Sequence, residues 1–319
     1  MSEAPHPRVL ILTGTTASGK NRVGASLAKR LGGEAISLDS MKVYRGMDLG
    51  TAKPDLAERQ GVPHRLIDIL DPRESMDLRK FVDLAHAARR EIAAAGKHAV
   101  VVGGTQLYLH GFLNGVFDGP PQDPVFRAGL RAEAAEIGVP ALHVRLAARD
   151  PVAAARIHPN DYKRVERALE VFAAAGRPIS ELQKEGTVAE EFPRRTYVLT
   201  WERRALDARI DARVVEMFRE GFVDEVRRIE AAGGFGREAG EALGYPEVRA
   251  LLAGEATEEE TVMLVQRNTR RFARKQLTWL RKLPADLRFL CRSKEDLAAA
   301  EEAIYADFVA GDATTSTVR

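Results

Sequence analysis

Gly14-Thr15-Thr16-Ala17-Ser18-Gly19-Lys20-Asn21 follows the apolar run Val9-Leu10-Ile11-Leu12 and precedes a helical pattern over Arg22–Leu31. A G-x-x-x-x-G-K stretch between strand and helix reads as a phosphate-binding loop. Its glycines let the backbone approach an anion closely, successive N–H groups face it, and the lysine adds a full positive charge. A second apolar run, Ala35-Ile36-Ser37-Leu38, ends in Asp39-Ser40-Met41-Lys42-Val43-Tyr44-Arg45. This places a carboxylate at the end of the neighbouring strand, at the edge where open α/β sheets carry their chemistry. Together the two segments describe a site that holds a phosphorylated substrate with a base close by.

Further along, Met76–Ala95 has helical spacing, with Phe81, Leu84, Ala88 and Ile92 on one side. Ala99-Val100-Val101-Val102 reads as a buried parallel strand that ends in Gly103-Gly104-Thr105. The resulting β-α-β-α-β order predicts an α/β fold, a P-loop-type doubly wound parallel sheet. From Gly119 to Phe192 the chain turns helical in character, with His143–Leu146 as its weak strand candidate, and Tyr197–Trp201 restores a strand. A helical insertion domain over 119–192 is therefore expected between core segments 1–118 and 193–310. Leu287–Cys291 is a candidate last strand, and the Ala/Thr/Ser-rich residues 311–319 read as a disordered tail.

The 319 residues suffice for one large or two smaller domains, and a net charge of +2 does not by itself argue for nucleic acid. One cysteine, Cys291, excludes an internal disulfide and any Cys-based zinc site. Met1–Arg8 lacks an apolar signal core and no stretch approaches 18 apolar residues, so a cytoplasmic protein without a membrane role is expected.

Several constellations could carry chemistry. Asp39 suits a magnesium carboxylate, a helix cap or a general base, and residue type alone leaves the three open. Gly103-Gly104-Thr105 is a turn where a ligand could approach and Thr105 could donate a hydrogen bond. Arg127 has the pattern of a solvated helix residue. Arg156-Ile157-His158-Pro159-Asn160-Asp161, followed by Lys163, Arg164 and Arg167, is a basic cluster at a helix start. Between Thr261 and Pro284 lie Arg267, Arg270, Arg271, Arg274, Lys275, Arg281 and Lys282 without one acid. Val265, Phe272 and Trp279 predict a core face for that helix, and its arginines a basic ridge for a polyanion.

These residues resemble the tRNA dimethylallyltransferase family. The resemblance rests on G-x-T-A-S-G-K, on D-S-x-x-V-Y-R-G-M-D-x-G-T-A-K-P (Asp39–Pro54), on P-H-R-L-I-D (Pro63–Asp68) and on V-G-G-T-x-L-Y (Val102–Tyr108). It continues through I-H-P-N-D (Ile157–Asp161), R-A-L-E (Arg167–Glu170), Gly244-Tyr245 and R-x-x-x-R-K-Q-x-T-W-L-R (Arg270–Arg281), in order over roughly residues 9–285. It implies transfer of a dimethylallyl group from dimethylallyl diphosphate to the exocyclic amine of the adenosine 3′ of the anticodon. Gly14, Thr16, Ala17, Ser18, Gly19, Lys20 and Asn21 would then hold the diphosphate rather than ATP, with Mg²⁺ as cofactor. Asp39 would be the base, and Thr105 and Arg127 catalytic-site groups. The resemblance puts tRNA contacts on Asp39, Ser40, Met41 and Lys42, on Lys163, Arg164 and Arg167, and on Gly244 and Tyr245. Arg271 and Arg274 belong to the basic ridge. The insertion would clasp the anticodon stem-loop, and a monomer is the family expectation.

Two departures stand out. Asn21 replaces the Thr or Ser whose hydroxyl ordinarily meets Mg²⁺, so a metal contact there is in doubt. Lys42 replaces the usual Gln of the tRNA-reading segment. The competing readings are an isopentenyltransferase acting on free adenine nucleotide, a P-loop small-molecule kinase, and a tRNA-binding relative with weakened catalysis. The basic helix and the long insertion favour tRNA over a mononucleotide.

Overall fold

The computed structural model describes residues 8–117, 119–185 and 189–315. The chain divides into two compact units, Leu113–Glu190 and the segments on either side of it. The helical insertion thus opens at Leu113 and closes at Glu190, somewhat earlier at both ends than its composition indicates.

In chain order the first unit begins β1 (Val9–Gly14), α1 (Lys20–Arg30), β2 (Glu34–Leu38), β3 (His64–Arg65), α2 (Leu78–Ala94), β4 (Ala99–Gly103) and α3 (Gln106–Asn114), whose last turn crosses the boundary. The second unit holds α4 (Pro124–Ile137), α5 (Val139–Arg149), α6 (Pro151–Arg156), α7 (Tyr162–Ala175) and α8 (Ile179–Glu185). The first unit resumes with β5 (Arg194–Trp201), α9 (Arg203–Arg219), α10 (Phe222–Ala231), α11 (Arg237–Gly240), α12 (Tyr245–Leu252), α13 (Glu258–Leu280), β6 (Leu287–Cys291) and α14 (Lys294–Thr315).

All six strands are parallel, in the order β3-β2-β4-β1-β5-β6. Every residue of β1, β2 and β4 is buried, as expected of strands covered by helices on both faces. The sheet corrects one sequence expectation: β2 is not the neighbour of β1, because β4 lies between them. Two inter-strand spacings put the ends of β1 and β2 about 10 Å apart. Their register restores the proximity in the other direction. Thr13 and Leu38 both pair with Gly103, so the chain leaves all three strands at one level. The phosphate loop, the Gly104-Thr105 turn and Asp39 therefore stand in a row along one edge.

The helices show where side-chain spacing misleads. In α2 the buried apolar residues are Phe81, Val82, Ala85, Ala88 and Ile92, while Leu84 is exposed. In α13 the buried set is Thr261, Val265, Thr269, Ala273, Gln276 and Leu280, a three-and-four spacing, and Phe272 lies in solvent. A strict seven-residue stripe drifts around a straight helix, and here small and polar residues pack instead. His143–Leu146 is not a strand. It lies in α5, where Leu142 and Leu146 one turn apart are fully buried and Val144 is exposed. The helix α14 runs on to Thr315, past Gly311, because extending a formed helix costs far less than starting one. Residues 316–319 of the expected tail lie outside the described residues.

Candidate active site

The loop between β1 and α1 is held in shape by side chains from four directions. Lys20 folds back so that Nζ donates to the carbonyl of Thr15 at 3.0 Å. Trp201 Nε1, at the end of β5, donates to the Ser18 carbonyl at 3.0 Å. Arg209 Nε of α9 donates to the Ala17 carbonyl at 2.9 Å, with its guanidinium 4.0 Å over the Trp201 ring. Ala17 has φ 57°, a left-handed conformation that is costly for a residue with a Cβ, and the Arg209 contact is among those holding it there. Arg213 Nη1 donates to Thr16 Oγ1 at 3.0 Å. Thr16 N donates to Gln276 Oε1 at 2.8 Å, and Gln276 Nε2 donates to the Gly104 carbonyl at 2.9 Å. One buried carboxamide from α13 therefore ties the loop to the turn beside it. Gly104 is closely surrounded, since a Cβ there would come within 3.3 Å of the Lys20 side chain and 3.0 Å of Gln276.

Asp39 follows β2 and is half-buried, its Oδ1 accepting from Met41 N at 3.0 Å. Ser40 N donates to Thr105 Oγ1 at 3.1 Å, which brings the ends of β2 and β4 together. The Asp39 carboxylate acts through space on Lys20, Lys42 and Arg213. Burial and then the neighbouring Lys42 push the Lys20 ammonium down to about 7. Burial lowers Lys42 to about 8, against the pull of Asp39. Burial also lowers the Arg213 guanidinium below its ordinary value. Three basic groups and one carboxylate thus act on one another along this edge, with bases in excess. Such an edge favours an anion of more than one charge.

Asn21 and Lys42 line one small cavity with Ser37, Pro54 and His64. Asn21 Nδ2 reaches the Ala52 carbonyl at 3.4 Å. The segment after Asp39 owes its form to two buried charges. Glu225 accepts from the backbone N–H groups of Asp48, Leu49 and Gly50 and from the Tyr245 hydroxyl at 2.7 Å. Lys53 donates to the Tyr44 carbonyl, Asp48 and Asp68 at 2.8, 2.6 and 2.5 Å. The residues of the Asp39–Pro54 block beyond Arg45 are therefore mostly scaffold.

The remaining sequence-predicted residues divide. Arg267, Arg271, Arg274, Lys275, Arg281 and Lys282 are all exposed along α13 and its end. Tyr245 is fully buried against Phe222 and Phe235, so its side chain belongs to the core and offers no surface to RNA. Gly244 caps α12 at φ 95°, its N–H donating to Glu247. In the second unit, Arg127 forms a two-pronged pair with the buried Glu170 at 2.7 and 2.8 Å and reaches Gln122 at 2.9 Å. Arg167 joins the same carboxylate at 2.6 Å, Arg164 pairs with Asp161 at 2.8 Å, and Lys163 is exposed. The R-A-L-E block thus supplies the carboxylate that orients Arg127.

Trp201, Arg209, Arg213 and Gln276 escaped sequence reasoning. Arg209 and Arg213 one turn apart were a visible signal, as was Gln276 amid the basic run. Neither spacing reveals that they converge on a loop about two hundred residues earlier.

An all-parallel sheet whose central strand feeds such a loop is the frame of the P-loop proteins. The model of the family described as IPP transferase matches residues 42–283. A tRNA dimethylallyltransferase of Anaeromyxobacter dehalogenans (strain 2CP-C) is 49% identical over 276 residues, covering 86% of this chain and 92% of that protein. One of Geobacter metallireducens is 45% identical, covering 88% and 92%. Among solved structures, the tRNA isopentenylpyrophosphate transferase of Bacillus halodurans is 39% identical with a TM-score of 0.68, covering 97% of this chain and 98% of that one. A eukaryotic dimethylallyltransferase acting on tRNA is 27% identical with a TM-score of 0.80, covering 96% and 80%. This chain belongs to the IPP transferase family.

Proposed function

We propose that this tRNA dimethylallyltransferase moves the dimethylallyl group of dimethylallyl diphosphate to the exocyclic N6 amine of adenosine 37, beside the anticodon. The observation that carries the reading is that Lys20 and Arg213 are both held on the phosphate loop and that the Asp39 carboxylate at the end of β2 acts on each through space. A carbon–nitrogen bond forms at the allylic carbon as the carbon–oxygen bond to diphosphate breaks, and the amine proton passes to Asp39. Lys20, Arg213 and the loop N–H groups meet the charge that grows on the leaving diphosphate. Thr105, fixed by Ser40, faces the same edge; Arg127, the other catalytic-site group that the resemblance implies, is held by Glu170 in the second unit. A base in a loop leaves its stack at low cost, so the anticodon arm suits such a pocket. The exposed ridge of α13 supports a polynucleotide acceptor over a mononucleotide, which needs no such ridge.

Magnesium, the expected cofactor, fits poorly as an ion held by this protein. Asn21 has no hydroxyl, its amide nitrogen faces Ala52, and an ammonium shares its cavity. Among the described residues no group of three or more His, Cys, Asp or Glu side chains could hold a metal.

The test is transfer from labelled dimethylallyl diphosphate to tRNA, with the modified nucleoside located by mass spectrometry. Asp39→Ala should slow single-turnover transfer about 10²–10⁴-fold with tRNA still bound. A rate within about tenfold of wild type would remove the base role from Asp39.

A further inference from the structure

Position 42 lies in the segment assigned by resemblance to tRNA reading, but the structure buries its side chain. Lys42 is 4% exposed, and its ammonium forms no hydrogen bond or ion pair with a described residue. Lys53, equally buried, shows the ordinary arrangement: three oxygen atoms surround its ammonium. A lysine whose side chain is this enclosed and whose ammonium meets no protein acceptor is free to meet an anion that comes and goes. Its surroundings identify that anion. The charge of Lys42 acts through space on Lys20, and those of Asp39 and Arg213 act on it. It lines a cavity with Asn21, which stands in the first turn of α1 where P-loop proteins place their metal-binding hydroxyl.

We propose that Lys42 is a third protein cation for the donor diphosphate, supplying charge that a divalent ion beside α1 would otherwise supply. The two departures then form one change: Asn21 removes the hydroxyl that holds the ion, and Lys42 fills the electrostatic gap. A nearby ammonium also repels a divalent cation, so the two solutions exclude one another. Burial lowers the proton affinity of Lys42 against the pull of Asp39, and an arriving diphosphate would raise it again. This inference rests on the donor reading given above and deepens it.

The experiment is isothermal titration of the full-length protein with inorganic pyrophosphate, first in EDTA and then in excess Mg²⁺. Wild type should bind in EDTA, and Lys42→Gln should bind about tenfold or more weakly, the scale of a lost charged contact. Magnesium should narrow that gap to about threefold or less, by giving the variant the charge it lacks. Lys42→Met should behave alike, and both variants should melt no lower than wild type without ligand, since a desolvated charge has gone. Affinity for tRNA should not change in either variant. Pyrophosphate binding in EDTA within about threefold of wild type for both variants would overturn the assignment, as would a loss of tRNA affinity in its place. A gap that persists in Mg²⁺ would overturn the exchange of metal charge for lysine charge. Failure of the donor reading looks different: wild type itself would neither bind pyrophosphate nor prenylate tRNA.

Discussion

Lys20 shows how much of the chemistry sits in single residues and how little of it their identity conveys. A lysine ending G-x-x-x-x-G-K is legible as a phosphate ligand, but its state is not. Burial and Lys42 lower it from 10.5 to about 7, so near neutrality the free enzyme holds it partly uncharged. The folded value lies below the unfolded one, so the unfolded chain binds more protons from about pH 7 to 10.5. The unliganded fold therefore gains stability from this residue as pH rises through that window. Donor binding has the opposite sign, because the anion prefers the protonated lysines. Affinity for dimethylallyl diphosphate should fall as pH is raised from 7 to 9, while the unliganded melting temperature holds or rises. Titration calorimetry and thermal denaturation read the two trends, and a donor affinity that rises over this window would contradict the assignment. Tyr245 makes the complementary point. The Gly-Tyr pair was legible as a family mark, but only packing shows that the phenol binds Glu225 in the core.

At the scale of elements, α13 has a separate use for each side. Its inner side places Gln276 on the phosphate loop and Thr269 and Ala273 in the core, while its outer side carries the arginines. The basic ridge could be read from the sequence because charge without intervening acid is a compositional signal. The inner face could be read only in part, since small or polar residues stand on it beside Val265 and Leu280, and the apolar heptad also pointed to Phe272, which is exposed. Replacing Arg271 and Arg274 with glutamine should weaken tRNA binding and reduce the slope of log affinity against log salt, by roughly 0.7–0.9 per lost phosphate contact. Pyrophosphate affinity should stay within about twofold, because the residues that reach the loop remain. An unchanged salt slope would show that this ridge does not meet phosphates.

At the scale of the molecule, the second unit has a core of its own, resting on Leu130, Leu142, Leu146, Val165 and Leu169. Leu142→Ala should cost about 2–5 kcal/mol in that unit. Calorimetry should then resolve an earlier transition, with the first unit melting near its wild-type temperature. A single transition shifted as a whole would mean that the units unfold as one. Among the described residues no helix is long and apolar enough to cross a membrane. The sequence by itself determined the parallel α/β frame, the phosphate loop, the carboxylate at a strand end, the helical insertion and the family. Each of these is written in contiguous residues, as apolar runs, glycine spacing or uninterrupted charge. The tertiary structure alone decided that β4 stands between the loop and Asp39, and that Arg209, Arg213, Trp201 and Gln276 shape the loop. It also decided that the Lys42 side chain is buried and that Glu225 and Lys53 hold the segment behind Asp39. Those facts depend on strand order and on side chains meeting across as many as 260 positions, as in the Thr16–Gln276 contact, and no local pattern encodes such a distance.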